Sequence, residues 1–419
     1  MTPSGWTAQG WERVAEAFEG NFEHQHEVGA AFSAYHRGDK VVDLWGGVAD
    51  ETTGATWDED TMVVVFSTTK GATALCANML AQRGALAIEA PVADYWPEFA
   101  QNGKGDVLVD HLLSHRAGLA WTDAPMTVEE ALAWDPVVRA LEAQTPSWDP
   151  GTQHGYHATT YGWLVGEVVR RVTGASLGQT FRREVGEPLG LDFYIGLPEA
   201  LESRVARLVP IMDSIVSGRL GSVAGGDAGE GRADSDAGSY LEALAARAGE
   251  YLAPDGPLTK ALAAPNGTLA DDKLWNSRAL HAAEIPAANG ICDARSLARM
   301  YSACIGEVVT ESGEKVRLLD DVQLADALLQ RTEGPDLILL GLDIQWGLGY
   351  MLNRGIIASA GLGGARGFGH FGMGGSAGWA DPDAELAMGY VMNRMDIGTT
   401  GDTRAFALMQ ACYEVASSL

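Results

Sequence analysis

The sequence predicts a mixed α/β protein in which one sheet, flanked by helices, is assembled from both ends of the chain around an inserted, mostly helical region. Three observations carry this. Apolar, β-rich runs stand near the start, in "VGAAFSAYHRGDKVVDLWGGVAD" and "TMVVVF". Strand-like stretches return near the end, in "IQWGLGYML", "RGFGHFG", "GSAGWADP" and "ELAMGYVMN". Between them, from about 85 to 290, the apolar spacing is mostly helical, with long connections. Residues 1–84 and 290–419 are therefore expected to form one part of the fold, and residues 85–289 a second, helical part. No internal repeat is present.

Taken in order, "WERVAEAFEGNF" has helical periodicity from about Trp11. Arg37-Gly38-Asp39, between two β-rich runs, reads as a hairpin turn. A helix is expected from Thr68 to Arg83, with Gly84 as its C-terminal cap. "TVEEALAWDPVVRALEA" opens with Thr127 and Glu130 at capping-box spacing, and "TTYGWLVGEVVRRVTG" ends at Gly174. The Gly-, Ser-, Ala- and Asp-rich stretch 217–238 reads as an exposed loop, in a place from which it could cover an active site. "DARSLARMYSACI" and "TRAFALMQACYEVA" are the last two helices.

Composition excludes several function classes. The formal charge of -27 repels phosphate backbones and anionic lipid surfaces, so neither nucleic acid nor membrane is an expected partner. The apolar runs are too short and too often interrupted to span a bilayer. The N-terminus lacks a basic start followed by an apolar core, so a cytoplasmic location is the expectation. Cys76, Cys292, Cys304 and Cys412 have no metal-ligand spacing and read as reduced residues of the core.

Two serines compete for chemistry. "GGSAG" fits the G-x-S-x-G pattern around Ser376, but a nucleophile elbow needs a strand before the serine and a helix after it. Here Trp379-Ala380-Asp381-Pro382 and a further strand-like run follow, which is the pattern of a hairpin, and no histidine follows His370. Ser376 is therefore assigned to a glycine-rich turn. Ser67, in "FSTTKG", ends an apolar run and opens a helix, with Lys70 one turn on along the same face. Burial of that face would lower the lysine pKa and let the neutral amine take the serine proton. The helix end, with the N–H of Ser67, would favour an oxyanion. Alone, S-x-x-K is also the pattern of a serine cap beside an exposed lysine.

Two further residues are candidates. Tyr156 stands just before a helix, after the tight Pro150-Gly151 turn, where a phenol can act as acid or base if a neighbouring cation lowers its pKa. His370, in "GHFGMGG", lies among glycines that permit close backbone approach to a bound acyl group. Either residue is equally compatible with a purely structural role. His111-x-x-x-His115 and His154-x-x-His157 have ligand-like spacing without the glutamate of H-E-x-x-H, so no metal is expected. The glycines near 361–369 follow no βαβ entry, so no dinucleotide or other cofactor is expected either.

In this order, "FSTTKG", "LLSHRAGL", "PGTQHGYHATTYGWLVGEVVRRVTG" and "GHFGMGGS" resemble the serine β-lactamase-related family. More narrowly, the pattern is similar to its family VIII carboxylesterase branch, related to class C β-lactamases and D-alanyl-D-alanine carboxypeptidases. "YHRGDKVVDLWGG" adds an echo of the family's opening hairpin. The resemblance implies a β-lactamase/transpeptidase-like fold, with a central antiparallel sheet and the active site between its two parts. It also implies that Ser67 forms an acyl-enzyme, Lys70 activates it, and Tyr156 moves protons to the leaving group. By the same resemblance His370, Phe371 and Gly372 take the place of K-T-G, and the N–H groups of Ser67 and Met373 form the oxyanion hole. Ser114, His115 and Gly118 are expected to brace the site.

Two departures bear on the substrate. Ala158 replaces the asparagine of Y-x-N, and His370 replaces the lysine that meets the carboxylate of penicillins and peptides. Both favour small, mostly uncharged esters, with weak β-lactam hydrolysis as a side activity. A β-lactamase or D-amino-acid peptidase and a non-catalytic penicillin-binding-like scaffold are the alternatives. Trp121, Trp346 and Trp379 are candidates for an apolar acyl pocket. The oligomeric state, monomer or small homo-oligomer, is left open.

Overall fold

The computed structural model describes residues 3–210, 250, 252–396 and 400–419. The expected loop at 217–238 lies outside these residues. Thirteen strands are described: β1 (Ser4–Thr7), β2 (Gly29–His36), β3 (Asp39–Asp50), β4 (Ala55–Thr56), β5 (Val63–Val64), β6 (Phe193–Tyr194), β7 (Ile291–Cys292), β8 (Val308–Val309), β9 (Lys315–Val316), β10 (Met351–Leu352), β11 (Phe368–Phe371), β12 (Ala377–Asp381) and β13 (Leu386–Met392). The main sheet is antiparallel, in the order β1-β3-β2-β13-β12-β11-β10, with β4 paired to β3. Its two halves meet where β2 pairs β13, with Phe32 opposite Tyr390. Both strands are buried along their whole length, which is why their residues are mostly apolar or small.

Local sequence signals hold at several element ends. Arg37 and Gly38 both have positive φ (54° and 83°), the conformation of a type I′ turn that matches strand twist. The Thr127 hydroxyl accepts the Glu130 N–H, and the Glu130 carboxylate accepts the Thr127 N–H. "IQWGLGYML" forms less strand than its composition promises. Gly349, at φ +84°, bends the chain within a tight turn, and only Met351–Leu352 pairs with the sheet.

Five helices carry the packing around the sheet and the site: α1 (Glu12–His24), α2 (Thr69–Gln82), α3 (Thr160–Thr173), α4 (Ala294–Ile305) and α5 (Thr403–Ala416). Helix α4 packs on one face of the sheet at close range. A Cβ on Gly378 would meet the Tyr301 ring and Leu297, and one on Gly389 would meet the α4 backbone. Helices α1 and α5 pack together on the opposite face. A small second sheet, in the order β5-β7-β6, lies where the chain enters α2. Residues Thr69 to Leu80 of α2 are all buried, so this helix runs through the interior rather than along the surface.

Candidate active site

Ser67 lies in a single 3-10 turn, Phe66–Thr68, that links β5 to α2. The expected helix thus begins with a tighter turn and continues as α2 from Thr69. Phe66 has a positive φ of 44°, a strained state for a bulky residue, immediately before the serine. Three contacts hold it there. Its ring packs on Trp275 at 4.7 Å, and its carbonyl accepts the Thr69 hydroxyl at 2.5 Å. The same Thr69 oxygen accepts the Gly290 N–H at 2.9 Å, tying the turn to the residue before β7. As a first-turn residue, Ser67 keeps its N–H free of an intrahelical acceptor.

Lys70 is fully buried and its Nζ has three neighbours: the Ser67 Oγ at 3.2 Å, the Ala158 carbonyl at 2.5 Å and the Ala287 carbonyl at 3.0 Å. Burial holds its pKa well below the ordinary lysine range. A neutral amine has two N–H donors and one lone pair. In that form the two carbonyls would accept the donors and the lone pair would be left for the serine hydroxyl, whereas the protonated amine donates to all three oxygens. This also answers the loss of the Y-x-N asparagine. The backbone of Ala158 holds the lysine where its side chain has no polar group.

Tyr156 is buried beside them, with Lys70 Nζ 4.7 Å from its ring centroid. Its N–H donates to the Asp336 carboxylate at 3.0 Å, which also accepts the N–H groups of Ile338 and Leu339. Its ring stacks on Trp346 at 5.5 Å, nearly parallel, and lies 5.1 Å from His115 and 6.1 Å from His370. Burial raises its pKa, which the neighbouring Ser67 hydroxyl opposes only in part. The expectation of a phenol made acidic by a cation is therefore corrected. Lys70 lies beside the ring with its own pKa lowered by burial, and burial of the phenol keeps Tyr156 protonated at neutral pH, poised to donate.

The three histidines around this centre are neutral. His370 Nδ1 lies 2.7 Å from the Phe371 carbonyl, which fixes the proton on Nδ1 and leaves Nε2 as a bare acceptor. Burial, then Lys70, holds its pKa well below 6.5. His157 donates from Nδ1 to the Gly155 carbonyl and accepts the Leu119 N–H at Nε2, and burial pushes its pKa down to about 3. His115, in the left-handed region at φ 60°, accepts the His157 N–H at Nδ1 and packs edge-on against Trp346 at 4.2 Å. Burial, reinforced by His157, lowers its pKa too.

The turn between β11 and β12 brings Met373 alongside. Gly374 and Gly375 have φ of +90° and +127°, and a Cβ on Gly372 would collide with the Val65 carbonyl and the Ser376 hydroxyl. Among the described residues, no acceptor pairs with the Met373 N–H. The Gly374 carbonyl accepts from the buried Arg404 guanidinium at 2.6 Å, and Arg404 in turn pairs with Glu27 and Asp402.

Two pocket expectations need correction. Phe371 and Trp379 stack on each other at 5.5 Å on the α5 side of the sheet. Phe371 there meets Phe406, and Trp379 donates to the Tyr413 hydroxyl. His370 points the other way, because neighbouring strand residues face opposite sides. Trp346 has no exposed surface and backs the Tyr156 ring. Trp121 is half-buried, and the Lys260 Nζ lies over its ring at 5.6 Å from the centroid. No residue pattern could announce the Ala158 and Ala287 carbonyls, since any residue supplies one. Asp336 and Thr68 were also missed, being positioned by tertiary contacts.

Residues 14–412 match the Beta-lactamase family model. The chain is 34% identical over 388 residues to the Mycobacterium tuberculosis protein "Esterase/beta-lactamase LipL", covering 91% of this chain and 81% of that relative. Among solved structures, it superposes on a family VIII carboxylesterase with a TM-score of 0.83 at 36% identity, over 99% of this chain and 100% of the other. A penicillin-binding protein homologue from Caulobacter crescentus gives a TM-score of 0.80 at 34% identity, over 99% and 100% of the two chains.

Proposed function

Because the chain belongs to the Beta-lactamase family, whose esterase members it resembles over nearly its full length, we propose that it is a serine carboxylesterase acting on small, mostly uncharged acyl esters. One observation carries the reading: a fully buried lysine, its two amine protons accepted by carbonyls, with Ser67 Oγ at 3.2 Å. Ser67 Oγ attacks the ester carbonyl while its proton passes to Lys70. The N–H groups of Ser67 and Met373 hold the oxyanion. Tyr156 gives its proton to the departing alkoxide and regains one from Lys70, so the acyl-enzyme forms as the alcohol leaves. Water then attacks the acyl carbonyl, and the acid departs as the serine proton returns. Lys70 and Tyr156 titrate as one coupled system.

His370 supports the choice of ester. A neutral imidazole with a bare Nε2 offers no fixed positive charge to a substrate carboxylate. Trp346 backs the catalytic phenol. The name of the mycobacterial relative favours weak β-lactam hydrolysis as a second activity. Turnover of a short-chain phenyl ester, fluorophosphonate labelling and cephalosporin hydrolysis, measured on wild type, S67A and S376A, test the proposal. Labelling and ester turnover should vanish in S67A. Their loss in S376A with retention in S67A would overturn the assignment of the nucleophile.

A further inference from the structure

Ser376, the serine of the G-x-S-x-G pattern, is buried and fully engaged. Its Oγ donates to the Val65 carbonyl at 2.8 Å and lies 2.9 Å from the Thr68 hydroxyl, which then supplies the second hydrogen bond. Val65 and Thr68 bracket Ser67 in the turn that starts α2. On its other side, the Ser376 carbonyl accepts the Gly372 N–H at 2.8 Å, closing the turn that presents Met373. One residue therefore touches both halves of the oxyanion hole. Its side chain grips the half that holds the Ser67 N–H, and its backbone grips the half that holds the Met373 N–H.

Gly372 shows how tight this junction is. Its Cα faces the Val65 carbonyl, the Ser376 hydroxyl and the Thr68 hydroxyl, and a Cβ there would overlap all three. The two halves thus lie backbone against backbone, with the Ser376 hydroxyl as the polar link across the gap. Val65 also accepts the Thr68 N–H at 3.1 Å, so the carbonyl that Ser376 engages already belongs to the nucleophile turn.

We propose that Ser376 is a positioning residue for the oxyanion hole: through Val65 and Thr68 it sets the spacing between the Ser67 and Met373 N–H groups. The inference rests on the esterase reading of the same site. An oxyanion is held well only where both donors converge on one point, and a small misplacement of reacting groups lowers the rate by about 100-fold or less. Losing the link should weaken the bound oxyanion while leaving the ester's ground-state contacts in place.

The test compares wild type with S376A, T68V and the double variant. It measures kcat, KM, melting temperature and inhibition by an aryl trifluoromethyl ketone, whose adduct with Ser67 carries an oxyanion. S376A and T68V are each expected to lower kcat by about 10- to 100-fold, with KM within about threefold and ketone affinity falling in step with kcat. Because both act on one junction, the double variant should lose little more than the worse single variant. If S376A does not fold, T68V alone decides, by the same parallel loss. A kcat loss with unchanged ketone affinity, or an unchanged kcat in a folded variant, overturns the proposal. Intact-mass labelling separates the underlying reading. Fluorophosphonate should still add to Ser67 in S376A, whereas absence of label on Ser67 in the wild type would remove the esterase reading itself.

Discussion

Lys70 Nζ lies 2.5 Å from the carbonyl oxygen of Ala158, the residue that stands in place of the Y-x-N asparagine. The lysine is thus oriented by the backbone, and the alanine itself is buried, being only 2% exposed. Restoring the amide by A158N should overpack the site, lowering stability by about 1–3 kcal/mol and reducing ester turnover. Cephalosporin hydrolysis should not rise above the wild-type level. Urea unfolding and parallel ester and cephalosporin assays check both outcomes.

The buried lysine makes stability depend on pH. In the folded protein its pKa is well below the ordinary value, whereas the unfolded chain keeps that proton up to a pKa of about 10.4. Between the two pKa values the unfolded state binds one more proton, so this group's contribution to stability rises with pH. The slope is roughly 1 kcal/mol per pH unit and ends above the unfolded pKa. K70M removes that slope. Urea unfolding at pH 7, 8 and 9 should therefore show wild type gaining stability relative to K70M as pH rises.

His370 should not shape the pH–activity profile around neutrality. Its pKa is held well below 6.5 by burial and by Lys70, and its tautomer is fixed by the Phe371 carbonyl. The profile of kcat/KM between pH 6 and 8 should have the same shape in wild type and H370N, whatever the change in amplitude. A wild-type limb near pH 6.5 that disappears in H370N would contradict the neutral assignment.

Arg404 braces the turn that carries Met373 from the α5 side. Its guanidinium pairs with Glu27 at 2.9 Å and Asp402 at 2.5 Å and donates to the Gly374 carbonyl at 2.6 Å, all in the interior. R404M leaves the buried Glu27 and the partly buried Asp402 without this cation and should cost about 3–5 kcal/mol of stability. Thermal and urea unfolding measure this loss.

Much of the candidate site was legible because its chemistry needs particular residue types at short spacing. Ser67 and Lys70 are one helical turn apart, so local structure alone puts them on one face. The hairpin pattern after Ser376 likewise argued against the better-known serine motif. Pocket residues were harder to read. His370 and Phe371 are consecutive in a strand, so they face opposite sides, and strand alternation already disfavours both lining one pocket. Trp379 pairs with Gly369 across β11 and β12 and so shares the face of Phe371, a relation that depends on strand register.

By itself the sequence determined the element types, several caps and turns, and the order of the family motifs, because these depend on neighbours within a few residues. Tertiary structure decided the protonation of the site and the surroundings of each serine. The Lys70 pKa is lowered because folding buries it, and its amine is held in place by the carbonyls of Ala158 and Ala287, which lie 88 and 217 residues away in the chain. Ser376 is engaged on every side because folding places its hydroxyl against Val65, 311 residues away. Desolvation and long-range hydrogen bonds arise only when distant segments pack, and a backbone carbonyl leaves no mark in the residue code.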